Sequence, residues 1–289
     1  MSAIQHLISP KASDIGFPVR RLLPATAVQS VGPFVFFDHM GPAQFAAEGT
    51  AGDVRPHPHI GLATVTYLYS GAMMHRDSLG YVQRIEPGAI NLMAAGRGIV
   101  HSERVPADVR ADRIPVHGIQ IWLALPAERE EMAPAFHHYP AEALPAFEAE
   151  GASIRLLIGE AFGLVSPVKT YSPTVQADVE LAAGAALEWP SEYPERGVYV
   201  AGGRLLLDGT AIETGQLAVL EPGSPVRLEA GTSARLMLVG GEPLDGRRFI
   251  YWNFVARSRE RIEVAKADWA ESRFDPIPGE SEFIPPPWL

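Results

Sequence analysis

The segment DVRPHPHIGLATVTY places His57 and His59 one residue apart, around Pro58 and just ahead of a run of β-formers. Side chains alternate faces along an extended chain, so the two imidazoles point the same way. Such a pair can grip a metal, face a carboxylate or stay solvated. A second pair of the same shape follows in AAGRGIVHSE, where His101 and Glu103 are again one residue apart after a glycine-rich turn. A single strand histidine is usually solvated or tied into a structural hydrogen bond. Two i, i+2 pairs, each projecting from a strand, offer three imidazoles and one carboxylate to a divalent ion and leave coordination positions open. That donor set suits Fe(II), Mn, Ni, Cu or Zn. With neutral histidines the carboxylate leaves the site at a formal charge of about +1, which favours an anionic enolate or phenolate as an added ligand.

Short strands must position these side chains. FVFFDHM, GLATVTYLYSG, AINLMAAGRG and GIQIWLALP read as strands closed by glycine or proline, and SIRLLIG, VELAAGAALEW, GVYVAGGRLLLDG, GQLAVLEPGSPVRLEAG and ARLMLVGG repeat the cadence. Each half contains a Pro-Gly turn, in IEPGAI and in LEPGSP. The expectation is an all-β protein of two duplicated antiparallel β-barrels. The N-terminal barrel is expected over residues 1–135, a connector over 136–150 with a short helix just before it at Glu128 to Met132, and the second barrel with its tail over 151–289. Near the end Ser258 can N-cap a short helix with Ile262, Ala265 and Trp269 on one face. Pro58 gives up a ladder donor and belongs at a strand end or edge. Gly96 and Gly98 read as turn residues.

Composition narrows the chemistry. The chain of 289 residues is 47% hydrophobic, enough for two well-formed cores, and its 27 Gly and 26 Pro have no collagen-like period. It has no cysteine, which excludes disulfides, zinc–thiolate sites and thiol nucleophiles. A formal net charge of −10 argues against direct contact with nucleic-acid phosphates. The start MSAIQHLISPKASDIG lacks the pattern of a signal peptide, and no apolar run is long enough to span a bilayer, so a cytoplasmic protein without membrane contact is expected.

HPHIGLATVTYLYSGAMMHRDSLG and GAINLMAAGRGIVHSE resemble the two metal motifs of the pirins, within the cupin superfamily. GPFVFFDHMGP and GEPLDGRRFIYWNF are also similar to pirin segments, and the resemblance covers nearly the whole chain. It implies a bicupin, two cupin-type barrels with one metal, usually Fe(II), in the N-terminal one. The implied ligands are His57, His59, His101 and Glu103, the residues picked by spacing. One position departs from the pattern: many relatives carry a glutamate where this chain has Ala63. All nine histidines lie at or before His138, so the second barrel has none, and Glu188, Glu192, Tyr193 and Glu195 alone would make a weaker site; that barrel is expected to be metal-free.

The resemblance implies quercetin 2,3-dioxygenase-like chemistry on a flavonol or related enolate with dioxygen, with Glu103, the one anionic ligand, as the catalytic proton acceptor. It implies as an alternative a metal-containing regulatory protein acting through a protein partner. His75 is expected either to line the pocket or orient a ligand, or to pair at the surface with Asp77. His39 and His117 read as strand-end residues, His137 and His138 as solvated, Arg97 as a surface turn, and Phe34, Phe36, Leu92 and Met93 as core.

Overall fold

The computed structural model describes residues 3–223 and 225–288. Met1, Ser2 and Leu289, at the outer ends of the two expected domains, and Ser224, in the LEPGSP turn, lie outside the described residues. The regular structure of the described residues is mostly antiparallel strand, and the chain divides into two compact units.

The unit that carries the histidine motifs comprises Ser13–Val19, Met40–Ala141 and Leu244–Leu289. Its smaller sheet has four strands in the order Val54–His59, Ile99–Arg104, Met73–Asp77, Val82–Ile85. Four neighbouring strands of a second, seven-stranded sheet run Ala135–Tyr139, Ile90–Ala94, Leu62–Ser70, Val116–Ala124. Apolar side chains from both sheets, including Val54, Met73, Ile85, Leu68 and Val116, close a core in which Val109 joins from a short helix, Ala107–Ala111, that the strand pattern did not announce. Val54–His59 is an edge strand, which is where Pro58 can sit without leaving a ladder acceptor unpaired.

The other unit, Met1–Ala12, Arg20–His39 and Glu142–Pro243, repeats the plan. A seven-stranded sheet runs Ile4–Ile8, Leu217–Leu220, Glu195–Gly202, Ala234–Gly241, Thr174–Leu181, Ala152–Ile158, Ala146–Ala149. A four-stranded sheet runs Ala186–Trp189, Val226–Ala230, Arg204–Leu207, Thr210–Glu213. Val175, Ala177, Val179 and Leu181 alternate into the core from one face of a strand in which only Glu180 is exposed.

Three expectations about organisation need correction. The segment Glu128–Met132 is a pair of turns, closed by i to i+3 bonds from Arg129 N–H to the Pro126 carbonyl (2.9 Å) and from Met132 N–H to the Arg129 carbonyl (3.0 Å). The stretch 136–150 is no bare connector: Ala135–Tyr139 pairs with Ile90–Ala94, and Ala146–Ala149 with Ala152–Ile158. A single cut through the chain does not separate the units either. Ile4–Ile8 completes a sheet edge beside Leu217–Leu220. The C-terminal helix Arg259–Ala270 buries Ile262 and Ala265 against Ile60, Phe254 and Ala256, inside the histidine-bearing unit. Its cap is as expected, with the Ser258 hydroxyl accepting from Arg261 N–H at 3.1 Å.

Two features hold the histidine strands in place. The first is the turn at Gly61, between Val54–His59 and Leu62–Ser70. Its N–H donates to the Gly96 carbonyl (2.8 Å), so the turn after the first histidine pair is tied to the turn before the second. Gly61 has φ +68°, and a Cβ there would lie 2.0 Å from the Val255 carbonyl oxygen. The second is the tail. On Ile99–Arg104, His101 and Glu103 alternate with Ser102 and Arg104. Ser102 Oγ donates to Glu280 Oε1 (2.6 Å) and Arg104 Nη2 to Glu280 Oε2 (2.6 Å), which fastens the tail to that strand. Burial pushes the Glu280 carboxyl up, but the bonds from Arg104 and Ser102 outweigh it and hold the group below the usual carboxylate range.

Gly61→Ala is expected to destabilise the metal-free protein by more than about 2 kcal/mol in denaturant unfolding, since backbone strain and a backbone clash coincide there. Glu280→Gln is expected to lower stability at neutral pH. A depressed carboxyl stabilises the fold above its unfolded pKa, and that contribution is lost as pH falls through the folded value. The melting curves of wild type and variant should therefore differ at pH 7 and converge as pH drops below the ordinary carboxylate range.

A candidate metal centre

The register of two antiparallel strands builds the site. Ile99–Arg104 sets His101 directly opposite His57 on Val54–His59, and Val100 opposite Pro58. Opposed residues of an antiparallel pair share a face, so the imidazoles of both motifs converge. A bulge follows: Glu103 pairs with Val54, so three steps on the outer strand oppose two on its partner. On the other side of the same strand His101 faces Asp77 and Glu103 faces His75.

His57, His59 and His101 form a buried group whose candidate ligand nitrogens all lie within 4.8 Å of one another. Their ring centroids are 4.4 to 5.0 Å apart. The outer nitrogens of the first two are fixed by backbone acceptors. His57 Nδ1–H donates to the Arg55 carbonyl (2.8 Å) and His59 Nδ1–H to the Asn253 carbonyl (3.0 Å). Each Nε2 is then left as a bare lone pair, the form a metal needs. His59 Nε2 lies 3.1 Å from His101 Nε2. Burial pushes the His57 ring down to about 4, and burial with the neighbouring histidines drives His59 and His101 well below the usual imidazole range. The three rings are therefore neutral at pH 7. Buried, uncharged imidazoles aimed at one point, with a carboxylate on the same strand face, fit a borderline divalent cation.

Glu103 is not part of that compact group. Its alternation with His101 keeps it on the site face, where Thr66 Oγ1 lies 3.4 Å from Oε1. The same hydroxyl is only 2.8 Å from Gln120 Oε1, and one hydrogen cannot serve both, so Glu103 is lightly held. Burial pushes its carboxyl up, opposed by His75 and Thr66. Ala63, the position that departs from the expected motif, is a fully buried methyl between Leu123 and Ala94.

The remaining candidates sort by what they touch. His75 is 4% exposed, pairs with Asp77 (2.9 Å), comes within 3.4 Å of His101 and stacks on Phe136. It belongs with the site. His39 is buried against the Tyr199 hydroxyl and Arg20 in the other unit. His138 is bonded to Asn91 Oδ1 (2.7 Å), so it is tied to a neighbouring strand rather than solvated. His117 lies half-buried beside Tyr69, and Arg97 is an exposed turn residue. Phe34, Phe36, Leu92 and Met93 are core. In the histidine-free unit Glu195 accepts from Gly32 N–H (2.6 Å), and the Tyr193 hydroxyl donates to the Glu160 carbonyl (3.1 Å). Motif spacing missed the carbonyl of Asn253, 194 residues from His59, and the edge of Trp122 against that ring (centroids 5.1 Å). No helix among the described residues is long and apolar enough to cross a membrane.

Comparison with known proteins agrees with this architecture. Residues 16–123 match the Pirin family and residues 176–275 the Pirin C-terminal cupin domain. A pirin-like protein of Caulobacter vibrioides is 47% identical over 98% of this chain and 99% of its own, and mouse Pirin is 30% identical over 91% and 90%. The crystal structure of a quercetin 2,3-dioxygenase from Acinetobacter baumannii superposes with a TM-score of 0.90 at 34% identity, over 98% of this chain and 95% of that one. Two cupin-type domains, a histidine triad able to hold a metal and whole-length similarity agree: the chain belongs to the pirin family.

Proposed function

We propose that this protein is a metal-dependent dioxygenase of the quercetin 2,3-dioxygenase type, acting on a flavonol or a related enolate. The observation that carries the reading is the buried triad of neutral imidazoles with a lightly held carboxylate beside it. The likeness to the Acinetobacter baumannii enzyme supports it. His57, His59, His101 and Glu103 would hold one divalent ion, Fe(II) in the first instance, with Mn, Ni, Cu or Zn as substitutes of the same donor preference. That ion supplies a Lewis-acidic position at which an enolate oxygen and dioxygen can be brought together.

The chain's own residues do the rest. Glu103, raised by burial, is a stronger base than a surface carboxylate and takes the proton of the flavonol 3-hydroxyl. Its weak tether to Thr66 leaves an oxygen lone pair for that transfer. The three rings stay neutral because protonation would place charge in a buried site. Trp122 limits solvent at His59. An alternative role in regulation through a protein partner draws on the exposed apolar run Leu79, Tyr81 and Val82, which follows Asp77 at the end of a site strand.

Oxygen uptake decides between them. Protein stripped and reloaded separately with Fe(II), Mn, Ni or Cu should consume oxygen in step with loss of quercetin absorbance. His101→Ala should abolish this, and Glu103→Ala should lower it by about a hundredfold or more. Full turnover by metal-stripped Glu103→Ala would overturn the mechanism. No uptake by stoichiometrically loaded wild type would shift the reading to the regulatory role.

A further inference from the structure

The histidine-free unit holds a cavity of about 270 Å³, where residues 27–31 meet the sheet edge formed by Ile4–Ile8 and Leu217–Leu220. Its polar lining is Gln5, His6, Ser30 and Glu195, and Val31, Val219 and Leu220 are among its apolar walls. Register sets His6 opposite Val219, and Val219 opposite Gly197. Opposed residues share a face of the sheet. A Cβ on Gly197 would meet Val31 Cγ1 at 3.5 Å, so the segment carrying Val31 lies over that same face.

This segment is fixed by its own bonds. Ala25 N–H donates to the Val28 carbonyl (2.9 Å), Val28 N–H to the Ala25 carbonyl (3.2 Å), and Gln29 Nε2 to the Ala25 carbonyl (2.7 Å). Gly32 has φ +53°, a Cβ there would lie 2.8 Å from Gly241 N, and its N–H donates to Glu195 Oε2 at 2.6 Å. Closing the segment thus engages one oxygen of a half-buried carboxylate and leaves Oε1 uncommitted. Glu195 has no ion-pair partner among the described residues, and no Lys or Arg lines the cavity. The side chains of Gln5, His6 and Ser30 likewise have no hydrogen-bond partner among the described residues.

From this geometry we propose that the cavity is a second binding site, for a small organic ammonium compound held with its charged head on Glu195 Oε1 and its apolar body against Val31, Val219 and Leu220. A carboxylate without a neighbouring cation attracts a cationic guest and repels an anionic one. The apolar walls reward a hydrocarbon body. Gln5, His6 and Ser30 remain for a polar substituent on that body. The volume falls just below the usual range for ligand pockets, about 300–1,000 Å³, so the guest is a compact one-ring molecule, smaller than a flavonol. The preformed segment spares that guest an ordering cost. The site lies in the unit without the histidine triad, and the inference does not depend on a metal there.

The experiment is amide proton–nitrogen correlation spectroscopy of the full chain, titrated with phenethylamine. 2-Phenylethanol and 3-phenylpropanoate serve as neutral and anionic counterparts of similar shape. Phenethylamine should shift the amides of Gln5, His6, Ser30, Val31, Glu195 and Val219 saturably, with a Kd of about 1 mM or tighter, and leave those of His57, His59 and His101 in place. The alcohol and the carboxylate should bind about tenfold or more weakly. Glu195→Gln keeps an oxygen for Gly32 N–H and should weaken phenethylamine by a similar factor, about tenfold or more. No saturable shift at these residues, equal binding of the alcohol, or unchanged affinity in folded Glu195→Gln would overturn the proposal. The comparison of the three probes on wild type decides it even if the variant fails to fold.

Discussion

The pairing of His101 with His57 across two antiparallel strands is the constraint on which the centre depends. A one-residue slip in that register would send His101 and Glu103 to the opposite face and replace them with Ser102 and Arg104. Much of the surrounding structure resists such a slip. The Gly61–Gly96 backbone bond ties the turns at the same end of both strands, and Glu280 engages Ser102 and Arg104 on the reverse face. The bulge then absorbs one residue on the outer strand after the histidines have been placed.

A second constraint is electrostatic. Three imidazoles gathered in a dry pocket can coexist only if they are uncharged, and each neutral ring has one proton to place. For His57 and His59 the fold answers with a backbone carbonyl on the outer side of the ring. For His59 that acceptor is Asn253, which gives the chain segment after residue 244 a place in the centre's support as well as in the helix docked on Ile60. Packing of the C-terminal helix and the orientation of a ligand ring are thus properties of one apolar cluster.

The core of the site was legible because its signal is local. HPH and HSE each declare a shared face within three residues, and the absence of cysteine left imidazole and carboxylate as the donor set. The Ser258 cap was legible for the same reason. What sequence reading missed is non-local or marginal. No spacing rule links His59 to Asn253, and nothing in HRD says that its histidine and aspartate are buried together beside His101. The run AEREEMA has good helix formers, yet between Pro126 and Pro134 it closes in i to i+3 turns. Composition made 136–150 look like a linker, although Phe136 was needed to stack on His75.

The Val54–His59 strand has an implication for how the molecule behaves in a crowd. Val54–His59 is the outer strand of its sheet. Unpaired edges invite strands from neighbouring chains and so seed aggregation. Here Pro56 and Pro58 have no N–H to offer, and the Pro56 carbonyl is already taken by Ile284 N–H (2.8 Å). The residues that space the two histidines therefore also deny an incoming strand its hydrogen bonds. That edge is thereby closed to β-sheet extension by another copy of the chain.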